Sequence, residues 1–371
     1  MKKGWETKRL GELLQKTETV NPLQSPEMEF DYIDVSSVSN ATFQIEATQR
    51  LKGRDAPSRA RKFVRANDVL FATIRPTLQR IAIVPDNLDK QVCSTGYFVL
   101  RPNVGIDHRY VFYFLFTEDF AKQMESLQKG ASYPAVTDGD VRAQMIPLPP
   151  LPEQQRIVGL LDEAFAGIAT AKANAEKNLQ NARALFESHL HVERAEKAML
   201  GDLVNIRTGK LDANAAIEGG KYPFFTCSRE IFAINDYAFD CEAILLAGNN
   251  AVGDFNVKHY NGKFNAYQRT YVITVNEKKS VLYRFLYFQM LKSLKKFKAQ
   301  SVGVGTKFLK LGMIKELKIE LPSLNEQQRI VSTMDSLREE TQRLANLYER
   351  KLAALEGLKK SLLHLAFTGN L

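Results

Sequence analysis

The side chains best suited to chemistry in this chain are cations and amides, and they come in groups. Arg50, Lys52, Arg54, Arg59, Arg61, Lys62 and Arg65 fall within sixteen residues that hold one acid, Asp55. Such a run suits phosphate contacts, which give affinity and register without sequence information; an ordinary solvated surface is the alternative. Arg75, Gln79 and Arg80 follow a predicted strand end, where guanidinium and amide groups can pair with guanine or adenine edges in a major groove. In the second half, Asn249 and Asn250 follow the equivalent strand, and Gln268 and Arg269 follow another. Lys292, Lys295, Lys296 and Lys298 form a second basic cluster that reads equally as the wet face of a helix. Two small polar turns complete the set: Lys129-Gly130-Ala131-Ser132-Tyr133 and Val302-Gly303-Val304-Gly305-Thr306-Lys307. Glycine there lets a backbone come close to a phosphate or base, or simply makes a turn.

Catalytic patterns are not found. Gly303-Val304-Gly305-Thr306-Lys307 has the wrong spacing and the wrong Thr-Lys order for a phosphate-cradling loop. His108, His189, His191, His259 and His364 show no metal-ligand spacing to cysteines or carboxylates. No G-x-S-x-G nucleophile elbow occurs. Glu339 and Glu340 sit in a strongly charged helical stretch, where a solvated face is the simpler reading. No catalytic residue and no metal site is assigned, so a binding module is expected.

The elements that would position these residues come as a repeat. Glu153-Gln154-Gln155-Arg156-Ile157-Val158 recurs unchanged as Glu326-Gln327-Gln328-Arg329-Ile330-Val331, an offset of 173 residues. The same offset carries Leu148-Pro149 onto Leu321-Pro322, Gly130 onto Gly303 and Tyr110 onto Tyr283. Upstream, Leu10-Gly11-Glu12-Leu13 matches Leu200-Gly201-Asp202-Leu203 at an offset of 190. The difference of 17 residues reads as an insertion or deletion in a loop. Each copy begins with a mixed region, residues 1–150 and then 198–323. Strands are predicted at 30–35, 69–74, 81–84, 97–100, 243–247 and 270–275, and short buried helices at 110–116 and 283–290.

A long helix is predicted after each mixed region, over 151–197 and 324–371, opened by a proline-rich stop and, in the second copy, by Asn325 as N-cap. Apolar spacing of three and four runs through Leu161, Ala164, Ile168, Ala171, Ala175, Leu179, Ala182, Leu185 and His189. It runs again through Met334, Leu337, Thr341, Leu344, Tyr348, Leu352, Leu355, Leu358 and Leu362. This predicts a coiled-coil seam, alanine-rich on one side and leucine-rich on the other. A helix of about 40 residues is about 60 Å long, the dimension of a spacer. The alternative is two helices packed on one compact core.

Composition sets the frame. A chain of 371 residues suits two or more domains, and its net charge of +9 favours a polyanionic partner. Three cysteines, Cys93, Cys227 and Cys241, without a C-x-x-C pair, argue against a disulfide framework. No secretory signal or membrane-length apolar run is read, so a cytoplasmic location is expected. Two similar domains about a pseudo-two-fold axis could face two half-sites on one duplex, spaced about 34 Å per helical turn.

At this point the chain resembles the specificity subunits of type I restriction-modification systems. The resemblance rests on Leu148-Pro149-Pro150-Leu151-Pro152-Glu153-Gln154-Gln155-Arg156-Ile157 and its second copy, Leu321-Pro322-Ser323-Leu324-Asn325-Glu326-Gln327-Gln328-Arg329-Ile330. It also rests on the opening Trp5-Glu6-Thr7-Lys8-Arg9-Leu10-Gly11-Glu12-Leu13 and on the close Leu365-Ala366-Phe367-Thr368-Gly369. Ser323 departs from the family's usual proline. The resemblance implies an α+β fold: two mixed α/β target-recognition domains in pseudo-two-fold arrangement, separated by two long antiparallel helices forming a coiled coil. It implies double-stranded DNA as ligand, read as an asymmetric bipartite target. It implies docking of two methyltransferase subunits that use S-adenosylmethionine and of two ATP-dependent restriction subunits, with S-adenosylmethionine, ATP and Mg all held by those partners and no cofactor in this chain. A methyltransferase-only or fused nuclease-methyltransferase system is an alternative, as is a coiled-coil protein scaffold. Base-reading residues do not transfer from the family, because its recognition domains vary.

Overall fold

The structure is a computed structural model that describes residues 4–188 and 196–371. The chain divides into two compact units, one comprising Met1–Ala175 and Arg350–Leu371, the other Glu176–Glu349. Both units are built on one frame. In the first, strand Glu6–Arg9 pairs antiparallel with strand Met145–Leu148; in the second, Glu196–Met199 pairs with Lys318–Leu321 in the same register. The Leu-Gly-acid-Leu segment follows each leading strand, and the Leu10 and Leu200 N–H groups donate to Gln144 O and Leu317 O, both at 2.8 Å. A Cβ on Gly11 or Gly201 would lie 3.0 Å from the Cβ of Arg142 or Lys315, so glycine lets each segment lie against a short helix, Asp138–Arg142 or Leu311–Lys315.

Each unit then centres on a strand that faces two cores. Val69–Ala72 lies between strands Ile81–Ile83 and Tyr97–Leu100; Phe239–Ala247 lies between Val257–Ala266 and Thr270–Val275. Alternate residues of the central strand point to opposite faces. Val69 and Phe71 enter one cluster while Leu70 and Ala72 enter another. Ile244 and Leu246 divide from Ala243 and Leu245 in the same way. This explains why Val69–Ala72, and Ala243–Ala247 of the longer strand, are apolar throughout.

The surroundings of the central strands differ between the units. The first unit has a separate four-stranded sheet in the order 49–52, 29–33, 92–94, 60–63. In the second, strands at both ends join one six-stranded sheet, ordered 204–208, 270–275, 239–247, 257–266, 222–225, 232–234. The 17-residue difference is therefore not one loop. Most of it has accumulated before Thr73, whose carbonyl accepts from Val136 as that of Gly248 accepts from Leu309, an offset of 175. It lies where the two sheets diverge. The predicted helix at 283–290 also continues further, as Tyr283–Gln300, where the first unit has His108–Phe114 and Glu118–Leu127. Thr117 caps the second of these, accepting from the Phe120 N–H; at the same offset stands Met290, which cannot cap, and the helix runs on.

The repeated hexapeptide opens the long helices, Leu151–Ser188 and Leu324–Thr368, and its first glutamine is a clamp. Gln154, 1% exposed, accepts from the Asp107 N–H at 2.9 Å and donates to Pro149 O at 2.9 Å. Gln327, 0% exposed, accepts from the Leu282 N–H at 2.9 Å and donates to Ser280 O and Pro322 O, each at 3.0 Å. The arginine two residues on pairs back to the glutamate in each copy, Arg156 to Glu153 and Arg329 to Glu326. Two turns beyond each glutamine, Asp162 receives Arg109 and Tyr113, and Asp335 receives Arg284. The N-cap of the second helix is Ser323, not Asn325: the Ser323 hydroxyl accepts from the Glu326 N–H at 3.4 Å, and Asn325 lies inside the first turn. The serine that departs from the family pattern thus supplies a cap that proline cannot.

Two further expectations need correction. The first helix does not reach residue 197: Glu196 and Lys197 are in a strand, because the chain must be extended there to pair with Lys318–Leu321. The seam also changes near the end of the second helix. Leu161 and Ala175 are buried, and Ile168 and Leu179 lie half-buried between exposed neighbours. Leu337, Leu344, Leu352 and Leu355 lie on the protected face of their helix, but Leu358 is 47% exposed. Lys359 takes its place, with its ammonium 4.7, 5.6 and 5.3 Å from the ring centres of Phe43, Phe116 and Phe165. Burial holds that ammonium below the ordinary lysine pKa. From Lys359 onward the helix packs on the first unit's core through Leu362, Leu363, Ala366 and Phe367, and the steps follow a globular helix instead of a heptad. Within this unit the two long helices run antiparallel, with Arg156 donating to Leu371 O at 2.7 Å and Lys172 3.3 Å from Glu356. Ala182, Leu185 and His189 of the expected seam lie outside the described side chains.

Replacing Gln154 or Gln327 with leucine strands a buried N–H and carbonyl, each worth about 1–3 kcal/mol. Each variant is expected to lower the melting temperature by about 4–24 °C, at about 2–4 °C per kcal/mol for a unit of this size. Calorimetry that finds a shift below about 1 °C would show the clamp to be dispensable.

Candidate nucleic-acid interface

The two glycine-containing turns fold into the same hairpin. Lys129 and Ala135 exchange backbone hydrogen bonds of 2.8 and 2.9 Å; Val302 and Phe308 exchange bonds of 3.2 and 2.8 Å. Gly130 and Gly303 have φ of +101° and +119°, and a Cβ on either would crowd the carbonyl oxygen three residues on, Tyr133 O at 3.0 Å or Thr306 O at 2.1 Å. Only glycine fits this conformation without strain. Each hairpin is hydrogen-bonded to the segment leaving the central strand, through Ile74–Ala135 in one unit and Asn249–Phe308 with Asn250–Lys307 in the other. The sequence-predicted residues Arg75, Lys129, Ser132 and Tyr133 are thereby brought together in the first unit. Asn249, Asn250, Arg269, Gly305, Thr306 and Lys307 are brought together in the second.

Details of the hairpins show what is held and what is free. The Arg75 N–H donates to Pro134 O at 2.7 Å, and its guanidinium lies 5.2 Å from the Tyr133 ring centre, with Tyr133 itself 72% exposed. Arg75 and Gln79 flank the one-turn helix Pro76–Leu78, and both are left-handed, at φ +50° and +49°. Such strain in residues with side chains concentrates at functional sites. In the second unit the Arg269 guanidinium lies 5.4 Å from the Phe308 ring centre. Its carbonyl accepts from the Gly248 N–H at 2.9 Å and from the Cys227 thiol at 3.4 Å. A Cβ on Gly248 would come 2.4 Å from that carbonyl, so glycine is required for the approach. Val304 at the hairpin tip is fully exposed.

Several expected contact residues have other work. The basic run 50–65 is not a free positive surface, because acids from other parts of the unit face it. Arg50 pairs with Glu29 and Asp31, Lys52 and Arg54 with Glu27, and Arg65 with Glu18. The antiparallel register of 29–33 against 49–52 sets Glu29 opposite Lys52 and Asp31 opposite Arg50. Lys62 is an internal anchor, donating to Tyr97 O at 2.6 Å and to Asp138 at 2.8 Å. Arg80 holds the 35–38 turn through Val38 O. Gln268 donates to Asp212, and the Asn250 side-chain oxygen accepts from the Val252 and Asp254 N–H groups, both at 2.9 Å. Arg59 is exposed and Arg61 half-exposed, and among the described residues neither has a carboxylate partner. Arg59 O accepts from Thr95 N–H, which places it at the same strand end as Gly96 and Thr73.

Sequence reasoning stopped one residue short of Phe308, which the 173 offset could have exposed as the counterpart of Ala135. It gave Lys298 no fixed place; a Cβ on Gly253 would lie within 3.5 Å of Lys298, Ser301 and Lys307 side-chain atoms, which puts both lysines beside the hairpin. It missed Arg229, which pairs with Asp254 at 2.7 Å and holds that acid below its usual pKa range. No local pattern marked it.

Comparison with known proteins accords with this two-part build. The family model of the type I restriction modification DNA specificity domain matches residues 2–180 and again 193–350, and the chain belongs to that family. The specificity subunit of the type I restriction enzyme EcoDI from Escherichia coli is 40% identical over 172 residues, 46% of this chain. That match spans only 37% of the relative's length. A chain from a structural study of complex assembly and conformational transition in the type I R-M system superposes with a TM-score of 0.86 at 27% identity, covering 100% of this chain and 99% of that one. The HsdS subunit of Thermoanaerobacter tengcongensis superposes with a TM-score of 0.64 at 27% identity, covering 100% and 98%.

Among the described residues Arg59 and Lys129 have no carboxylate ion-pair partner, which predicts a different DNA footprint from the raw count of charges. Arg59→Gln and Lys129→Gln are each expected to weaken duplex binding on all sequences and to lower the slope of log affinity against log salt by about one. Arg54→Gln, already paired to Glu27, is expected to change affinity less than about twofold. Equal losses for all three variants in a salt titration would show that the ion pairs open on DNA.

Proposed function

We propose that this chain is the DNA-recognition subunit of a type I restriction-modification enzyme. In this reading each unit reads one short half of a bipartite, asymmetric target. The observation that carries it is a shared frame with unlike contents. Leading strand, closing strand, glutamine clamp and glycine hairpin recur at fixed offsets, while the sheets and the side chains beside the hairpins differ. A duplicated scaffold keeps two readers equivalent in build and lets each select a different sequence.

The same reading assigns the chemistry to partners. Two methyltransferase subunits would carry S-adenosylmethionine, and two restriction subunits would carry ATP and Mg. This chain would contribute target choice and docking surface, and would act in the cytoplasm, where the host genome lies. Among the described residues, no helix is long and apolar enough to cross a membrane. The net charge of +9 supports a polyanionic ligand over a purely protein-binding scaffold.

Co-expression with the methyltransferase encoded beside it, followed by sequencing of modified bases in host DNA, tests the proposal. A two-part adenine-methylation motif that appears only when this chain is present is expected. A stable complex that adds no new methylation would favour the scaffold reading instead.

A further inference from the structure

The equivalence of the two units goes deeper than their hairpins. Thr73 N–H donates to Gly96 O, and Gly248 N–H donates to Arg269 O. The Val136 and Leu309 N–H groups donate back to Thr73 O and Gly248 O, both at 2.9 Å. These bonds make Gly96 the counterpart of Arg269, and the pairing of Ile74 and Asn249 with the hairpins makes Arg75 the counterpart of Asn250. Two backbone positions therefore flank each hairpin. In the first unit they hold Arg75 and Gly96; in the second they hold Asn250 and Arg269. The arginine has changed places between them, and in both units it lies against an aromatic ring of the hairpin, Tyr133 or Phe308.

Resting on the reading of the chain as a DNA-recognition subunit, we propose that Arg75 and Arg269 are its guanine-reading residues, one for each half of the target. Neither has a carboxylate partner among the described residues, unlike Arg50, Arg54 and Arg65. A guanidinium lying on a ring is pre-ordered, so less rotamer freedom is lost when it forms two parallel hydrogen bonds to guanine O6 and N7. The backbone of each is also fixed, Arg75 through Pro134 O and Arg269 through Gly248 and Cys227. Because the arginines occupy different positions of a common frame, the two guanines stand at different steps of their half-sites.

The test uses the chain in complex with its methyltransferase and a library of randomised DNA duplexes, from which bound sequences are selected. Wild type, Arg75→Lys and Arg269→Lys are compared, since lysine keeps the charge and loses the fork. Each variant is expected to lose discrimination for guanine at one position of one half, by about tenfold or more, with the other half unchanged. Tyr133→Leu and Phe308→Leu, which leave the arginines but remove their rings, are expected to weaken the same position less. Unchanged selection by both lysine variants overturns the assignment. So does a uniform loss on all duplexes with a shallower salt slope, which would make these phosphate contacts. If the wild-type complex selects no two-part sequence, the recognition-subunit reading fails first, and this assignment with it.

Discussion

One buried amide at the head of each long helix organises the structure. A helix start leaves backbone N–H groups without partners, and a chain entering through prolines cannot supply all the donors that a buried junction needs. Gln154 and Gln327 resolve this by donating to the proline-segment carbonyls and accepting from a backbone N–H of the segment that opens the unit's buried helices. An amide is suited to the place because it carries both a donor and an acceptor on a short, neutral stem, whereas a carboxylate would bring an unpaired charge into the core. The Asp162 and Asp335 contacts two turns later repeat the tie. The helix direction is thereby fixed to the recognition unit, and the hairpins, which sit between the buried helices and the closing strands, inherit that order.

Much of this frame could be read in the sequence, because its requirements are local and duplicated. Offsets of 190 and 173 carried first the glycine of the Leu-Gly-acid-Leu segment and then the hairpin turn and the clamp from one unit to the other. Identity across two copies marks what geometry cannot give up. Gly130 and Gly303 stand at positive φ against a carbonyl, and Gln154 and Gln327 each bridge two chain segments. The capping residue and the helix end were less legible. Ser323 looked like a lost proline but is a cap, and Leu358 kept a heptad spacing where tertiary packing had already passed the seam to Lys359.

The candidate site was half legible for a different reason. Counting cations along the sequence cannot see acids that come from another strand, and the register of 29–33 against 49–52 places Glu29 and Asp31 beside the basic run. An exposed ion pair contributes little to stability. It does lower the local positive field, and that is what a phosphate senses. Conversely, Arg75 and Arg269 are ordinary in sequence and distinctive in space, each lying on a ring beside a hairpin with no carboxylate paired to it among the described residues. What sequence could supply was their neighbourhood; what it could not supply was which cations remain free.

A common frame that carries an exchangeable reader should change its target when the reader is exchanged. The most direct measurement duplicates one reader in the full chain, replacing residues 200–317 by a copy of residues 10–144. These junctions are the points where Leu10 bonds to Gln144 and Leu200 bonds to Leu317 in the same way. Co-expressed with the methyltransferase, this chain should direct methylation at a target whose two halves are the same sequence. A modified target that retains two different halves would contradict the account, because recognition would then lie in the frame and not in what it holds.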